Sequence, residues 1–258
     1  MKYGGNAMGR SEASDSTLEE ILDLHSSGVE VVLVHGGGPE IDRQLLAHGI
    51  VTRRIDGLRY TDARTLEITE AALCGTVNKQ IVRASLALGI PAIGMSGEDA
   101  ALLVAERVRS AAGEDLGFVG NITACQPAVV LTLLASGYVP VIAPLALSAD
   151  GRSALNVNAD LSAAAIAVGI RARAFIAITN VSRVLQNPDD PASGVDRFSL
   201  AEARQFVASS ACRSSMRPKL HAAIHAVHGG VAASYICAAS PGAIRAAFNG
   251  DATVIADS

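Results

Sequence analysis

The chain has 258 residues, half of them hydrophobic, and a formal net charge of −4, enough apolar material for one domain or two closely packed lobes. No apolar run is long enough for a membrane span, and a mildly acidic balance with only 3% aromatic residues argues against nucleic acid as the main partner. The start, Met1-Lys2-Tyr3-Gly4-Gly5, carries no apolar leader, so a cytoplasmic protein is expected; four scattered cysteines without a C-x-x-C pair suggest neither a zinc site nor a disulfide framework.

Lys2-Tyr3-Gly4-Gly5-Asn6 is the first of two glycine turns. Ser16-Thr17-Leu18-Glu19 has capping-box spacing, and Leu18, Ile21 and Leu22 supply the helical stripe behind it. The apolar run Val31 to Val34 predicts a buried strand that stops at the second turn, Gly36-Gly37-Gly38, where Pro39 opens a helix. Glycine there lets backbone N–H groups approach a ligand, and the unpaired N–H groups of the helix start favour an anion, a phosphate or a carboxylate. The alternative is a plain tight turn.

Arg53 to Tyr60 is a turn-prone stretch with an arginine cluster, and a long helix is predicted from Asp62 to about Leu88, interrupted or kinked at Gly75. Short strands over 92–95 and 102–105 flank a turn at Ser96-Gly97-Glu98-Asp99. A helix over 128–135 leads to a buried strand over 139–143, and Asp150-Gly151 makes a hairpin-like turn. A helix over 161–168 and a strand over 175–179 come next, and a second capping box, Ser199 to Glu202, opens another helix. Pro218 to His228 is helical and ends at Gly229-Gly230; strands over 234–238 and 253–256 surround a helix over 241–248. Such alternation predicts an α/β fold, a three-layer αβα sandwich with a mainly parallel open central sheet covered on both faces. Ligands of such sheets sit outside the carboxyl ends of the strands, where both glycine turns would lie.

Lysine usage carries the chemistry. The chain holds eighteen arginines and only three lysines, Lys2, Lys79 and Lys219. A sequence so biased should keep lysine where a compact point charge is needed, as beside a transferring phosphoryl group. Lys2 abuts the first glycine turn, and Lys219 follows Met216-Arg217-Pro218 at a helix start. Asp160, in Asn156-Val157-Asn158-Ala159-Asp160, is the best carboxylate to hold one or both ammonium groups; its other reading is the N-cap of the following helix. A Walker P-loop and a Rossmann G-x-G-x-x-G after a first strand are both absent. His221, His225 and His228 share a helical face but lack the glutamate of H-E-x-x-H, so no protein-held metal is expected.

Lys-Tyr-Gly-Gly-Asn-Ala-Met, His-Gly-Gly-Gly-Pro, Gly57-Leu58-Arg59-Tyr60-Thr61-Asp62, Asn78-Lys79, Gly117-Phe118-Val119-Gly120, Asn-Val-Asn-Ala-Asp and Met216-x-Pro218-Lys219 occur in one order along the chain. In this the sequence resembles the N-acetylglutamate kinases of the amino acid kinase superfamily, from residue 2 to about residue 257. The resemblance implies one amino acid kinase domain over 1–258, with an N-terminal lobe (about 1–155) for the acyl amino acid and a C-terminal lobe (about 156–258) for ATP. It implies phosphorylation of the side-chain carboxylate of N-acetyl-L-glutamate by ATP with Mg²⁺, with Lys2, Lys219 and Asp160 as catalytic residues. Gly37, Gly38, Arg59, Asn156 and Asn158 would bind the substrate, with Arg59 suited to a bidentate carboxylate clamp. Gly4, Gly5, Gly36, Thr179, Asn180, Val184 and Met216 would bind the nucleotide and its phosphates. A homodimer without arginine feedback is expected on the same ground.

Three departures from the family pattern fall on the nucleotide side: Ser214-Ser215 for Gly-Gly, Thr179-Asn180-Val181-Ser182-Arg183 for Thr-Asp-Val-x-Gly, and Ala252-Thr253 for Gly-Thr. The altered nucleotide loop keeps one alternative open, a non-catalytic paralogue that binds an acyl amino acid. A second alternative, with which Arg59-Tyr60-Thr61-Asp62 is compatible, is a kinase of carrier-protein-bound aminoadipate or glutamate.

Overall fold

A computed structural model describes residues 1–4 and 16–257. The first glycine turn is therefore seen as far as Gly4, and the phosphate-binding role expected of Gly5 falls outside the described residues.

Along the chain, β1 (Lys2–Tyr3) is followed by α1 (Ser16–Ser26), β2 (Leu33–His35) and α2 (Gly38–Ala47). A small hairpin of β3 (Arg54–Ile55) and β4 (Leu58–Arg59) turns at Asp56-Gly57, where both residues adopt positive φ. One helical run comes next: α3 (Ala63–Glu70), a π-helical segment (Ala71–Val77) that contains Gly75, and α4 (Asn78–Ala87). Then come β5 (Ala92–Ser96), β6 (Leu103–Arg109), β7 (Asp115–Cys125), α5 (Ala128–Ala135), β8 (Val139–Ala143), β9 (Leu145–Ser148), β10 (Ala154–Asn156) and α6 (Ala159–Gly169). The remainder is β11 (Ala174–Thr179), β12 (Val184–Leu185), β13 (Gly194–Val195), β14 (Arg197–Ser199), α7 (Leu200–Ala208), α8 (Arg217–His228), β15 (Ala233–Ala238), α9 (Ala243–Phe248) and β16 (Thr253–Ala256).

Eight strands form the central sheet in the order β14-β16-β15-β11-β1-β2-β8-β5. Every neighbouring pair is parallel except β15 with β16. Alternate residues of one strand serve opposite layers. Val32, Val34, Phe175 and Ala177 pack towards α6, α7 and α8, whereas Val31, Leu33, Ile176 and Ile178 pack towards α1, α4 and α9. Both faces are covered, so the strands read as continuous apolar runs, as expected for a mainly parallel sheet. A second, closed sheet of β10, β7, β6 and β9 sets Asn156 opposite Val119. Among the described residues no helix is long and apolar enough to cross a membrane.

Several sequence expectations are shifted by tertiary pairing. The ladder of β2 begins at Leu33, not Val31, because its partners are opposite only there: Leu33 faces Val141 and Val34 faces Lys2. Pro39 is the second helical residue of α2, with Gly37 as its N-cap. The longest strand, β7, has no clear signal in the sequence because Gly117, Gly120 and the exposed Asn121 and Thr123 interrupt its apolar pattern. The capping box at Ser199 forms as read: Glu202 N–H donates to the Ser199 hydroxyl at 3.3 Å, and Ser199 N–H donates to Glu202 Oε2 at 2.8 Å.

Candidate active site

Three helices begin at one place beyond the carboxyl ends of the central strands. The chain leaves β2 at His35 and enters α2 through Gly36, Gly37 and Gly38; α6 begins two residues before Leu161; α8 begins just before Lys219. A cavity of about 240 Å³ lies among them. Its walls carry Lys2 and Gly4 from the end of β1, the three glycines, Thr179 and Asn180 from the end of β11, and Lys219. Each helix directs the positive end of its dipole here, although the first N–H groups of α6 are taken by Asn158 and those of α8 by the Arg213 and Met216 carbonyls, so the cavity favours an anion before any side chain is counted.

The buried carboxylate Asp160 joins the two lysines. Lys2 Nζ is 3.2 Å from Asp160 Oδ1 and Lys219 Nζ is 3.8 Å from Oδ2, with the Lys2 and Asp160 side chains each 8% exposed and Lys219 18%. Asp160 does not cap α6. That task falls to Asn158, whose Oδ1 accepts from the N–H groups of Asp160 at 2.8 Å and Leu161 at 3.1 Å. The division of labour frees both oxygens of Asp160 for the ammonium groups. Burial lowers the Lys219 pKa; Asp160 opposes that shift and the charge on Lys2 adds to it. Lys219 Nζ also donates to the Ser215 carbonyl at 3.3 Å, so one of the two serines that depart from the family pattern meets the lysine through its backbone. Lys79, the third lysine, is elsewhere and donates to Gly94 O at 3.1 Å.

The glycine turn is not uniform. Gly36 N–H donates to the Tyr3 carbonyl at 3.0 Å, which ties the two turns together and leaves the N–H groups of Gly37 and Gly38 for a ligand. A side chain on Gly37 would meet Leu73 Cδ2 at 2.4 Å, so the π-helical segment packs against a bare backbone there.

Arg59, on β4, and Asn156, on β10, do not line this cavity, but Arg59 reaches its glycine turn. Arg59 is buried and already partly engaged: Nη1 donates to Asp42 Oδ1 and, at 2.9 Å, to Thr52 Oγ1, while Nη2 donates to Gly38 O at 3.4 Å. Burial alone would raise the Asp42 carboxyl, but hydrogen bonds from Arg59 and Thr52 and the charges of Arg59 and Arg54 hold it below the usual range. Asn156 Nδ2 donates to Thr61 Oγ1 at 3.2 Å, and that hydroxyl donates to the Arg59 carbonyl at 2.8 Å. The two residues expected to hold a carboxylate are thus linked through Thr61. Sequence reasoning overlooked Asp42 and Thr52; their spacing from Arg59 gives no signal, because a hairpin and a helix bring them together.

Two expected nucleotide residues are not at the cavity wall. Val184 is buried in β12 and its N–H donates to Thr253 Oγ1 at 2.8 Å, a core contact. Met216 is the N-cap of α8 and packs against the core one turn before Lys219. A larger cavity, about 520 Å³, runs along α8 past His221, His225 and His228, with Asn158 and Leu58 at its edge; it holds neither lysine.

The amino acid kinase family profile matches residues 1–238. An acetylglutamate kinase of Symbiobacterium thermophilum is 38% identical over 236 residues, covering 90% of this chain and 80% of its own length. One from a Thermoanaerobacter species is 40% identical, covering 92% and 78%. In fold, the chain is similar to N-acetylglutamate synthase from Neisseria gonorrhoeae complexed with coenzyme A and N-acetyl-glutamate (TM-score 0.83, 24% identity, covering 100% of this chain and 58% of that one). It is also similar to carbamate kinase from Giardia lamblia bound to AMP-PNP (TM-score 0.72, 17% identity, covering 100% and 97%). Taken with the paired lysines, the glycine turns and the mainly parallel sheet, these matches show that the chain belongs to the amino acid kinase family, among its acetylglutamate kinases.

Proposed function

We propose that the protein transfers the terminal phosphoryl group of ATP to the side-chain carboxylate of N-acetyl-L-glutamate, giving N-acetyl-L-glutamyl 5-phosphate and ADP, a step of arginine biosynthesis. The observation that carries this reading is the Lys2–Asp160–Lys219 bridge, set where three helix N-termini meet. No general base is needed, since a carboxylate with an ordinary pKa of about 4.3 is ionised at neutral pH and can attack directly. Catalysis then rests on positioning and on charge neutralisation. Lys2 and Lys219 offset the charge on the phosphoryl oxygens, Asp160 orients both, and the N–H groups of Gly37 and Gly38 add fixed dipoles. The N-terminal lobe, with Arg59, takes the acyl amino acid together with Asn156 at the lobe boundary; the C-terminal lobe, with Thr179 and Asn180, takes the nucleotide.

Magnesium in this reading enters on the nucleotide. Among the described residues no group of three His, Cys, Asp or Glu side chains is gathered to hold a metal, and Asp160 is already engaged by two ammonium groups. Mg²⁺ commonly binds through substrate phosphates while keeping several waters, and there it would offset phosphate charge. On resemblance alone the reading extends to a homodimer, which sedimentation equilibrium tests.

The test is ATP-dependent acyl phosphate formation, trapped with hydroxylamine, on N-acetylglutamate and on free glutamate. Activity on the acetylated substrate alone is the expected result; silence on both from folded protein would overturn the proposal. Arg59→Lys probes the carboxylate clamp, because a point charge cannot keep Asp42 and grip a planar carboxylate at once. The expected result is a KM for N-acetylglutamate raised about 50-fold, with kcat changed by less than about threefold, since the lost contact is made equally in the ground and transition states. An unchanged KM would remove Arg59 from the substrate site.

A further inference from the structure

His35 and Asn78 are motif residues without a part in the reaction so far, yet they sit directly beneath the glycine turn. His35 ends β2 and is fully buried. Its Nδ1 is 2.8 Å from Gly36 O, and its Nε2 is 3.2 Å from Asn78 Nδ2. Asn78, at the junction of the π-helical segment with α4, also directs Nδ2 to Val141 O at 2.8 Å and to Met95 O at 3.3 Å.

These contacts determine where the imidazole proton is. Two of the three groups around that corner of Asn78 are carbonyls, which only accept, so the amide nitrogen and not its oxygen must face them. His35 Nε2 therefore meets a donor and must be the bare nitrogen, which leaves the proton on Nδ1, donated to Gly36 O. The fold bears a cost for this arrangement: Asn78 Oδ1 is buried and has no hydrogen-bond partner among the described residues. Room for that oxygen comes from Gly94 on β5, where a Cβ would lie 2.0 Å from it. Burial pushes the His35 pKa down to about 4, so the ring stays neutral at physiological pH.

The consequence reaches the cavity through one peptide unit. Gly36 C=O and Gly37 N–H belong to the same trans peptide and point in opposite directions. Gly36 N–H is held by Tyr3 O on the other side. We propose that His35, fixed by Asn78, is a positioning residue for phosphoryl transfer: by holding the Gly36 carbonyl inward it turns the Gly37 N–H outward to the oxygen on which charge develops. This rests on the kinase reading of the same site, and deepens it by naming what orders the glycine turn.

The test begins with the wild-type enzyme, so it does not depend on a variant folding. ¹⁵N NMR of histidine-labelled protein, with the His35 signals assigned by their loss in His35→Asn, should show Nδ1 protonated and Nε2 bare; the opposite tautomer overturns the proposal whether or not the enzyme proves to be a kinase. Kinetics provide the second arm. His35→Asn keeps a donor at the Nδ1 position, and His35→Leu removes it. The expected result is kcat lowered about 30-fold in His35→Leu, with KM for N-acetylglutamate within about twofold, and kcat within about threefold of wild type in His35→Asn. Equal losses in both variants, or a folded His35→Leu with unchanged kcat, would sink the positioning role.

Discussion

Replacing Lys219 with alanine is expected to lower kcat by about 10³-fold while leaving the thermal midpoint within a few degrees of wild type. The fold has little stake in this side chain: its ammonium reaches one backbone carbonyl, at Ser215, and one carboxylate, at Asp160. The helix start itself is held by backbone bonds from Lys219 and Leu220 N–H to Met216 O, which alanine keeps. The transition state loses a charge that no neighbour replaces. Lys219→Arg should remain about 10²-fold down, because a planar fork cannot take the place of a compact ammonium 3.8 Å from Asp160. The wild-type pH profile follows from the same burial. The working form is the ammonium, and its folded pKa is lowered, so kcat/KM should fall on the alkaline side below the ordinary lysine value of about 10.4. Acyl phosphate trapping across pH on wild type and variants checks all three outcomes. A Lys219→Ala enzyme within tenfold of wild type would exclude this residue from the transfer.

The architecture was legible in the sequence where local pattern and tertiary demand agree. Helix Ala128–Ala135 and strand Val139–Ala143 have the limits read from the apolar runs, and the Ser199 capping box forms as its spacing predicted. The long helix from Asp62 is continuous, with Gly75 inside a π-helical turn. What failed was set by partners distant in sequence. Strand β7 exists because β6 and β10 pair with it, not because its glycine-interrupted run prefers extension. At the candidate site, the scarcity of lysine singled out Lys2 and Lys219, and the structure sets both against Asp160, which no spacing could have shown across so much chain. The assignment between Asn158 and Asp160 was ambiguous for a different reason: both residue types cap helices, and only geometry shows that Asn158 does so here. His35 illustrates the opposite limit, since its chemistry depends on Asn78, which is brought to it by a helix from the far side of the β3–β4 hairpin.

Asp160→Asn should lower kcat by about 10²-fold and cost about 3 kcal/mol of stability at neutral pH, a drop of roughly 6–12 °C in melting midpoint. Asparagine keeps the shape but leaves two ammonium groups with no counter-charge between them, one of them as buried as Lys2. Removing one partner of a buried pair is costly for that reason, even where forming the pair contributes little. The pH dependence separates this cause from simple misfolding. Lys219 titrates lower in the folded state than when unfolded, so between those two values the unfolded chain binds more protons and stability rises with pH. Asp160 opposes the lowering; without it the folded pKa drops further and the window widens towards neutrality. The deficit of Asp160→Asn against wild type should therefore be largest near pH 7 and shrink as pH rises towards the ordinary lysine value. Denaturant unfolding of both proteins at several pH values measures it. A deficit constant across that range would assign Asp160 a packing role, and an unchanged kcat would show that the two lysines do not need it for orientation.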